Sequence, residues 1–317
     1  MKYNVCFATD NNYSQHLAVA LTSLFVNNKN INELEVYVLS NKISHQNINK
    51  LKKIEERFER IIKFINVDNI EALIGITVNV NALSISTYLR LFLTKLLPES
   101  VNTVLYLDCD IIVDSNIDLI WDCDIDNNYV AGVMDTMYPE YFEGIGLPIN
   151  KCYINAGVLL INLKKWRDVN ITLKFIQFIN KFKGNVPHLD QGVINGVLQD
   201  KLILDLKYNV QTPLFIFKKY KYLIDFFKLN NYYTEKNWNY AKEFPTIIHY
   251  SSSYAGRPWF KYSFHPKKSL YRYYKKISPY SENKLQNENV SIIRKIKYFL
   301  MINFQSVYLI LKKINEE

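Results

Sequence analysis

Tyr3-Asn-Val-Cys-Phe-Ala-Thr-Asp-Asn-Asn12 begins as an alternating run, becomes wholly apolar and stops at a cluster of turn formers. Tyr3–Ala8 reads as a buried strand, and Thr9–Asn12 as a turn able to cap the helix that follows. In Tyr13–Asn28, Leu17, Ala20, Leu21, Leu24 and Phe25 recur at the i, i+3, i+4 spacing of a helix lying on a sheet. Leu34–Leu39 repeats the strand pattern, Ser44–Phe58 is a charged amphipathic helix, and Ile61–Ile65 is a third strand. Such alternation implies right-handed crossovers, hence an α/β protein with a doubly wound, mostly parallel sheet. No G-x-G-x-x-G follows the first strand and no G-x-x-x-x-G-K-S/T occurs, which argues against dinucleotide-binding and P-loop chemistry.

Further along, Thr103-Val-Leu-Tyr-Leu-Asp-Cys-Asp-Ile-Ile-Val-Asp114 is an apolar strand pattern interrupted by two carboxylates one residue apart. In extended backbone Asp108 and Asp110 share a face and Cys109 points away. Adjacent carboxylates repel unless a positive group separates them. A divalent cation held by oxygen ligands, its shell completed by a phosphate-bearing substrate, answers that need. Alone the pair is a weak signal, because a solvated strand end that starts a turn has the same pattern. Ser84–Leu97 reads as a helix in which Arg90 lies among Leu89, Leu91, Phe92 and Leu93, so the guanidinium needs an anionic partner. Asn116–Trp121 reads as a short helix and Tyr129–Met134 as a strand ending at Asp135. Ligands of open α/β sheets collect beyond the carboxyl ends of strands. Asp10, Asp108, Asp110 and Asp135 all stand there, which predicts one shared cleft.

In Cys152–Trp166, the small, polar Asn155-Ala156-Gly157 precedes a buried run, Val158–Leu163, as expected where backbone approaches a ligand closely. Lys164–Lys183 and Leu189–Leu198 read as helices. The second carries Asp190 and Gln191 in its first turn, where Asp190 serves the helix dipole equally well. Leu202–Leu204 and Thr246–His249 read as short strands, whereas Lys218–Tyr240 shows no assignable pattern. A histidine at a strand end is commonly structural, but His249 is followed by a Ser/Gly-rich loop and Arg257. Hydroxyls, amides and a guanidinium fork in such a loop suit a diphosphate.

The 317 residues, 49% hydrophobic with only 9 Gly and 9 Pro, describe a folded protein with a large core. Four scattered cysteines without C-x-x-C spacing argue for buried free thiols in a reducing compartment and against a zinc or disulfide framework. The N-terminus runs straight into the first strand with no apolar signal core, so a cytoplasmic protein is expected. The net charge of +9 is concentrated at one end: Arg257–Glu317 holds 13 Lys or Arg against 4 Glu, and the rest is neutral. A basic tail on a neutral body is an interaction device. Within it Tyr298–Leu311 is 14 residues long. As a helix it spans about 21 Å, short of the roughly 30 Å hydrocarbon core of a bilayer. Flanked by Arg294, Lys295, Lys297, Lys312 and Lys313, it reads as an interfacial helix on an anionic membrane or as one packed on the domain.

Four segments in order and spacing resemble the retaining glycosyltransferases of family 8, which include bacterial enzymes that build lipopolysaccharide outer cores. They are Phe7-Ala-Thr-Asp-Asn-Asn-Tyr13, then Ser84-Ile-Ser-Thr-Tyr-Leu-Arg-Leu91 running into Val104–Asp110, then Tyr153–Arg167, and His188-Leu-Asp-Gln191 with His249 and Arg257-Pro-Trp259. The resemblance implies a GT-A fold over residues 1–265, leaving 266–317 as a basic, aromatic tail. It implies that Ala8, Asp10 and Asn12 hold the uracil and ribose of a UDP-sugar, and that Asp108, Asp110 and His249 ligate Mn²⁺, with Mg²⁺ as a substitute. Arg90, Asn155 and Asp190 would contact sugar hydroxyls, with Cys109 and Ala156 completing the donor-binding set. Gln191 would lie under the anomeric carbon and Asp135 near donor or acceptor. Arg257 replaces the family's usual lysine before Pro-Trp, and Ser251-Ser252-Ser253 replaces a glycine after the metal histidine.

Retention suggests a carboxylate nucleophile. Gln191 is a poor one, so front-face displacement is favoured, with Asp190 as the alternative nucleophile. The acceptor implied is a lipid-linked or surface glycan at the anionic inner face of the cytoplasmic membrane, with no nucleic acid. Two rivals remain at this level. A sugar nucleotidyltransferase calls for a Gly-rich loop and Lys near the first strand, where this chain has Asp10-Asn11-Asn12. A non-catalytic membrane or nucleic-acid adaptor would use the tail but leaves five carboxylates at element ends unexplained.

Overall fold

In the computed structural model, which describes residues 2–67, 69, 72, 75, 85–251, 254–288 and 290–314, the first half is built as the alternation predicts. The elements are β1 (Tyr3–Asp10), α1 (Ser14–Asn27), β2 (Leu34–Asn41), α2 (His45–Phe58) and β3 (Ile62–Asn66). β2 pairs in parallel with both β1 and β3. The Asp10 carboxylate closes the first strand–helix turn by accepting from the N–H groups of Asn12 (2.9 Å) and Tyr13 (3.1 Å). Ser44 caps α2 through the N–H of Asn47.

Ser84 lies outside the described residues, and Ile85–Phe92 forms a 3₁₀ helix that passes into the single turn α3 (Leu93–Leu96). Three residues per turn place Thr87 and Arg90 on the same side of this tighter helix. There follow β4 (Thr103–Leu107), β5 (Ile111–Val113), a 3₁₀ turn at Asp118–Asp122, β6 (Val130–Met134), α4 (Pro139–Gly144) and β7 (Ile154–Asn162). The expected continuous strand over 103–114 is therefore two strands in two sheets. The N–H of Asp108 makes a last bond to Gly157 of β7, and the chain then leaves the main sheet. Asp108, Cys109 and Asp110 form the break. Asn155-Ala156-Gly157 lies within β7 and not ahead of it.

The predicted helix over 164–183 is also divided, into α5 (Leu163–Asp168) and α6 (Ile171–Lys181), because Asn170 is left-handed (φ 47°). The remaining elements are α7 (Leu189–Val197), β8 (Leu202–Ile203), β9 (Val210–Gln211), α8 (Thr212–Ile216), α9 (Tyr220–Phe227), α10 (Glu235–Glu243), β10 (Ile247–His249), α11 (Lys268–Lys276), α12 (Ile292–Asn303) and α13 (Gln305–Ile314). The main sheet has the order β3-β2-β1-β4-β7-β6-β8, antiparallel only where β7 meets β4 and β6. A smaller sheet has the order β5-β10-β9.

Both faces of the main sheet are covered. Val5, Phe7, Leu105 and Leu107 point into one core with α1 and α2, while Cys6, Val104 and Tyr106 point into another with the 3₁₀ helix and α5–α7. At α7 the chain comes so close that a Cβ on Gly192 would lie 1.9 Å from the carbonyl oxygen of Pro187. No other residue fits there.

Of the basic end, α11 buries Tyr271 and Tyr274 against Tyr250 and Trp259. The single helix read over 298–311 is instead a broken pair, α12 and α13, interrupted at Phe304 (φ −127°, ψ 52°). Gln305 fixes the break by accepting from the N–H of Lys218 (2.9 Å) and donating to the Ile216 carbonyl. Tyr298, Met301 and Gln305 are buried, whereas Ile292, Ile293, Ile296, Phe299, Phe304, Val307, Ile310 and Leu311 face outward. Among the described residues no helix is long and apolar enough to cross a membrane.

Candidate active site

The carboxyl ends of β1, β4, β6 and β10 surround a cavity of about 390 Å³. Asp10, Asp108, Asp110, Asp135 and Asp190 all line it, against the two guanidinium groups of Arg90 and Arg257. Ala8, Cys109, Asn155, Gln191 and His249 line it as well. The structure does not bring two of the expected donor residues into the lining. Asn12 is exposed and only its backbone acts, on Asp10. Ala156 is buried, where its N–H binds the Gln191 side chain at 2.9 Å and its carbonyl accepts from Arg90. Ser252 and Ser253 lie outside the described residues.

Asp108 and Asp110 converge on His249: its Nε2 is 3.2 Å from Asp110 Oδ1 and 3.7 Å from Asp108 Oδ2. One ligand atom from each of the three can be chosen so that all lie within 4.8 Å of one another. The hydrogen bonds behind the ring fix its orientation. The N–H of Gly157 donates to Asn155 Oδ1, so Asn209 must donate to that same oxygen through Nδ2 (2.9 Å each). Asn209 Oδ1 is then turned to His249 Nδ1 at 3.0 Å, which places the ring proton on Nδ1. The other ring nitrogen, Nε2, faces the two carboxylates. Such a donor set, with its imidazole oriented from behind and five acids lining the cavity, fits a divalent cation.

Asp110 is also bound by Arg257 Nη1 at 2.5 Å. Burial alone would raise its carboxyl, but His249 and Arg257 together hold it well below the usual carboxylate range. Deeper in, Arg90 bridges Asp108 (2.8 Å) and Asp190 (2.8 Å) and lies over the Tyr106 ring at 4.4 Å. The anionic partners its apolar neighbourhood demanded are these two acids. Burial pushes Asp190 up to about 6, since Arg90 only partly offsets the desolvation.

Gln191 is held on three sides. Its Oε1 accepts from the N–H of Ala156, and its Nε2 donates to Asp135 Oδ2 (2.8 Å) and His188 Nδ1 (2.9 Å). Asp135 accepts a second bond from Asn155 Nδ2 at 2.9 Å. Asn209 went unnoticed in the sequence, as did the aromatic wall that Tyr138, Tyr141, Phe227 and Tyr254 add to the cavity lining.

Gly157 is where the close approach is decisive. A Cβ there would stand 2.2 Å from His249 Cε1 and 2.8 Å from Asp108 Oδ2. The histidine ring cannot retreat, because Asn209 holds Nδ1 and β10 fixes its backbone. Gly157→Ala is therefore expected to weaken Mn²⁺ binding on the order of 10-fold or more. Mn²⁺ titration of the two proteins checks this, and equal affinity would show that the three side chains do not act as one ligand set.

The model of the Glycosyl transferase family 8 matches residues 4–263. This chain belongs to glycosyl transferase family 8. Among similar proteins, General stress protein A of Bacillus subtilis is 29% identical over 279 residues, covering 86% of this chain and 92% of its own. The Lipopolysaccharide 1,2-glucosyltransferase of Escherichia coli K12 is 27% identical over 305 residues, covering 93% of this chain and 84% of its own. The crystal structure of the galactosyltransferase LgtC with donor and acceptor sugar analogues superposes with a TM-score of 0.73 at 24% identity, covering 93% of this chain and 99% of that one. This glycosyltransferase thus has the GT-A fold, and the nucleotidyltransferase and adaptor readings are set aside.

Proposed function

We propose that this glycosyltransferase moves a hexose, glucose or galactose, from a UDP-sugar to a hydroxyl of a surface glycan such as lipopolysaccharide core or capsule, with retention and with Mn²⁺ or Mg²⁺. The observation that carries the reading is the convergence of Asp108, Asp110 and His249 within 4.8 Å at the end of β4, inside the acid-lined cavity. The Escherichia coli relative, a lipopolysaccharide glucosyltransferase, supports the donor and acceptor class.

Asp108, Asp110 and His249 would hold a divalent ion, which when bound would supply positive charge to the leaving diphosphate. Ala8 and Asp10 at the end of β1 take the uridine. Arg257 can turn its fork from Asp110 to a phosphate oxygen once the charge of Asp110 is otherwise balanced. Arg90 orients the Asp190 carboxylate, which with Asn155 receives sugar hydroxyls. In the transfer the C1–O bond to phosphate breaks and a bond from the acceptor oxygen to C1 forms on the same face. The acceptor proton passes to the departing phosphate oxygen. Gln191 shapes the site under C1 without attacking, because its amide is poorly nucleophilic and pinned by Ala156, Asp135 and His188. Asp190, the alternative nucleophile, is committed to Arg90.

The cavity has two chemistries, and the aromatic side, Tyr138, Tyr141, Phe227 and Tyr254, suits the apolar C–H face of an acceptor pyranose. The outward apolar residues of α12 alternate with Arg294, Lys295 and Lys297, which supports docking on the anionic inner leaflet. Co-sedimentation with phosphatidylglycerol vesicles tests that docking, and absence of binding at low salt contradicts it. For the donor, calorimetric titration with UDP is expected to show much tighter binding with Mn²⁺ than with EDTA. Equal affinity in both would remove the metal from the reading.

A further inference from the structure

The aromatic wall does not stand on the central domain alone. Phe226 and Phe227, at the end of α9, carry it: Tyr138 lies 5.2 Å from Phe227, and Tyr254 meets both rings edge-on at 5.9 Å. Behind them comes the end of the chain. Met301 belongs to the same core, and Ile302, Tyr308 and Leu309 pack against it. The junction is tied by Gln305 to Ile216 and Lys218, and the Tyr222 hydroxyl lies 3.3 Å from that of Ser306. From α13, Lys312 reaches back over the wall. Its Nζ lies 3.7 Å from the centre of the Phe226 ring and donates to the Tyr138 hydroxyl at 3.2 Å. A cation over one ring and bonded to the hydroxyl of another constrains both rings.

We propose that Lys312 is a positioning residue for the acceptor: through Tyr138 it sets the aromatic wall, so acceptor binding depends on a helix at the end of the chain. The inference rests on the acceptor reading given above. It has a spatial consequence. Val307, Ile310 and Leu311 on the outer side of α13 are exposed, so the helix that shows an apolar face outward also braces the acceptor end of the cavity. A glycan on a lipid anchor would enter at that end.

The test separates donor from acceptor. Lys312→Met keeps the length of the side chain and removes the cation, and Lys312→Arg restores a cation able to lie over Phe226. For wild type and both variants, UDP release to water is measured without acceptor, and transfer to methyl glucoside, methyl galactoside and lactose is measured over a range of acceptor concentrations. Lys312→Met is expected to raise the acceptor KM roughly 3- to 10-fold, with UDP release to water and the donor KM unchanged, and Lys312→Arg to recover most of it. An unchanged acceptor KM in Lys312→Met would overturn the proposal. So would a parallel loss of hydrolysis and transfer, which marks a general structural role. If the wild type hydrolyses its donor but transfers to none of the three sugars, the pyranose reading of the wall itself fails, and the proposal with it.

Discussion

Asp110→Asn is expected to lower the transfer rate on the order of 10³-fold while the protein stays folded. Asparagine keeps the shape and one acceptor atom, so His249 retains a hydrogen-bond partner. What is lost is the charge. Asp110 meets His249 at 3.2 Å and Arg257 at 2.5 Å, which makes it the point where the imidazole and the guanidinium fork are held together. The paired variant with Asp108→Asn removes both carboxylates and leaves His249 as the sole protein ligand. Rate assays with and without EDTA, alongside thermal unfolding, check this. Wild-type rates from either variant in EDTA would rule out metal-assisted departure of the diphosphate.

Arg90→Met should chiefly affect stability. Arg90 is 3% exposed, and its guanidinium serves Asp108, Asp190 and the carbonyl groups of Ala156 and Thr87. Removing it strands two carboxylates, one of them almost fully buried. Loss of one partner from a buried ion pair costs about 3–5 kcal/mol. The lower figure applies here, because Asp108 keeps a quarter of its side-chain surface in solvent. Asp190 would take up a proton more readily once its cation is gone, since burial already raises it to about 6. Urea unfolding of Arg90→Met is expected at a clearly lower midpoint with an unchanged slope. Arg90→Lys should recover part of the loss, because an ammonium cannot reach both acids with a planar fork. An unchanged midpoint in Arg90→Met would mean the bridge is not formed in solution.

The layered sheet was legible because burial on both faces leaves a mark that local reading can follow. β1 is apolar at consecutive positions, and the residues that part into two cores, Val5 and Phe7 against Cys6, are the ones the run contains. The acids were legible for a related reason: a carboxylate at the end of an apolar strand is costly unless it has a function. Asp10, Asp108, Asp110 and Asp135 did share one cleft. Long-range pairing left no such mark. Residues 103–114 have one strand propensity throughout, yet Ile111–Val113 pairs with β10 in another sheet, a choice made by partners more than a hundred residues away. Asn209 sits on a short 3₁₀ turn with no periodicity, and only the fold turns it to His249. The aromatic wall comes from three segments of a chain with 24 Tyr and 18 Phe, where one more ring carries little information. In Lys218–Tyr240 the i, i+3, i+4 set of Leu223, Phe226 and Phe227 was present but obscured by surrounding aromatics. The break at Phe304 follows from Gln305 binding backbone some 90 residues earlier, which no local pattern reports.

The central claim is that three side chains beyond β4 and β10 make donor cleavage depend on a divalent cation. UDP release measured across a panel of UDP-sugars, with Mn²⁺, with Mg²⁺ and with EDTA, tests it most directly. The account predicts release from one hexose donor, with metal and not with EDTA. Release at the same rate in EDTA, or no turnover and no binding of any UDP-sugar, would contradict it.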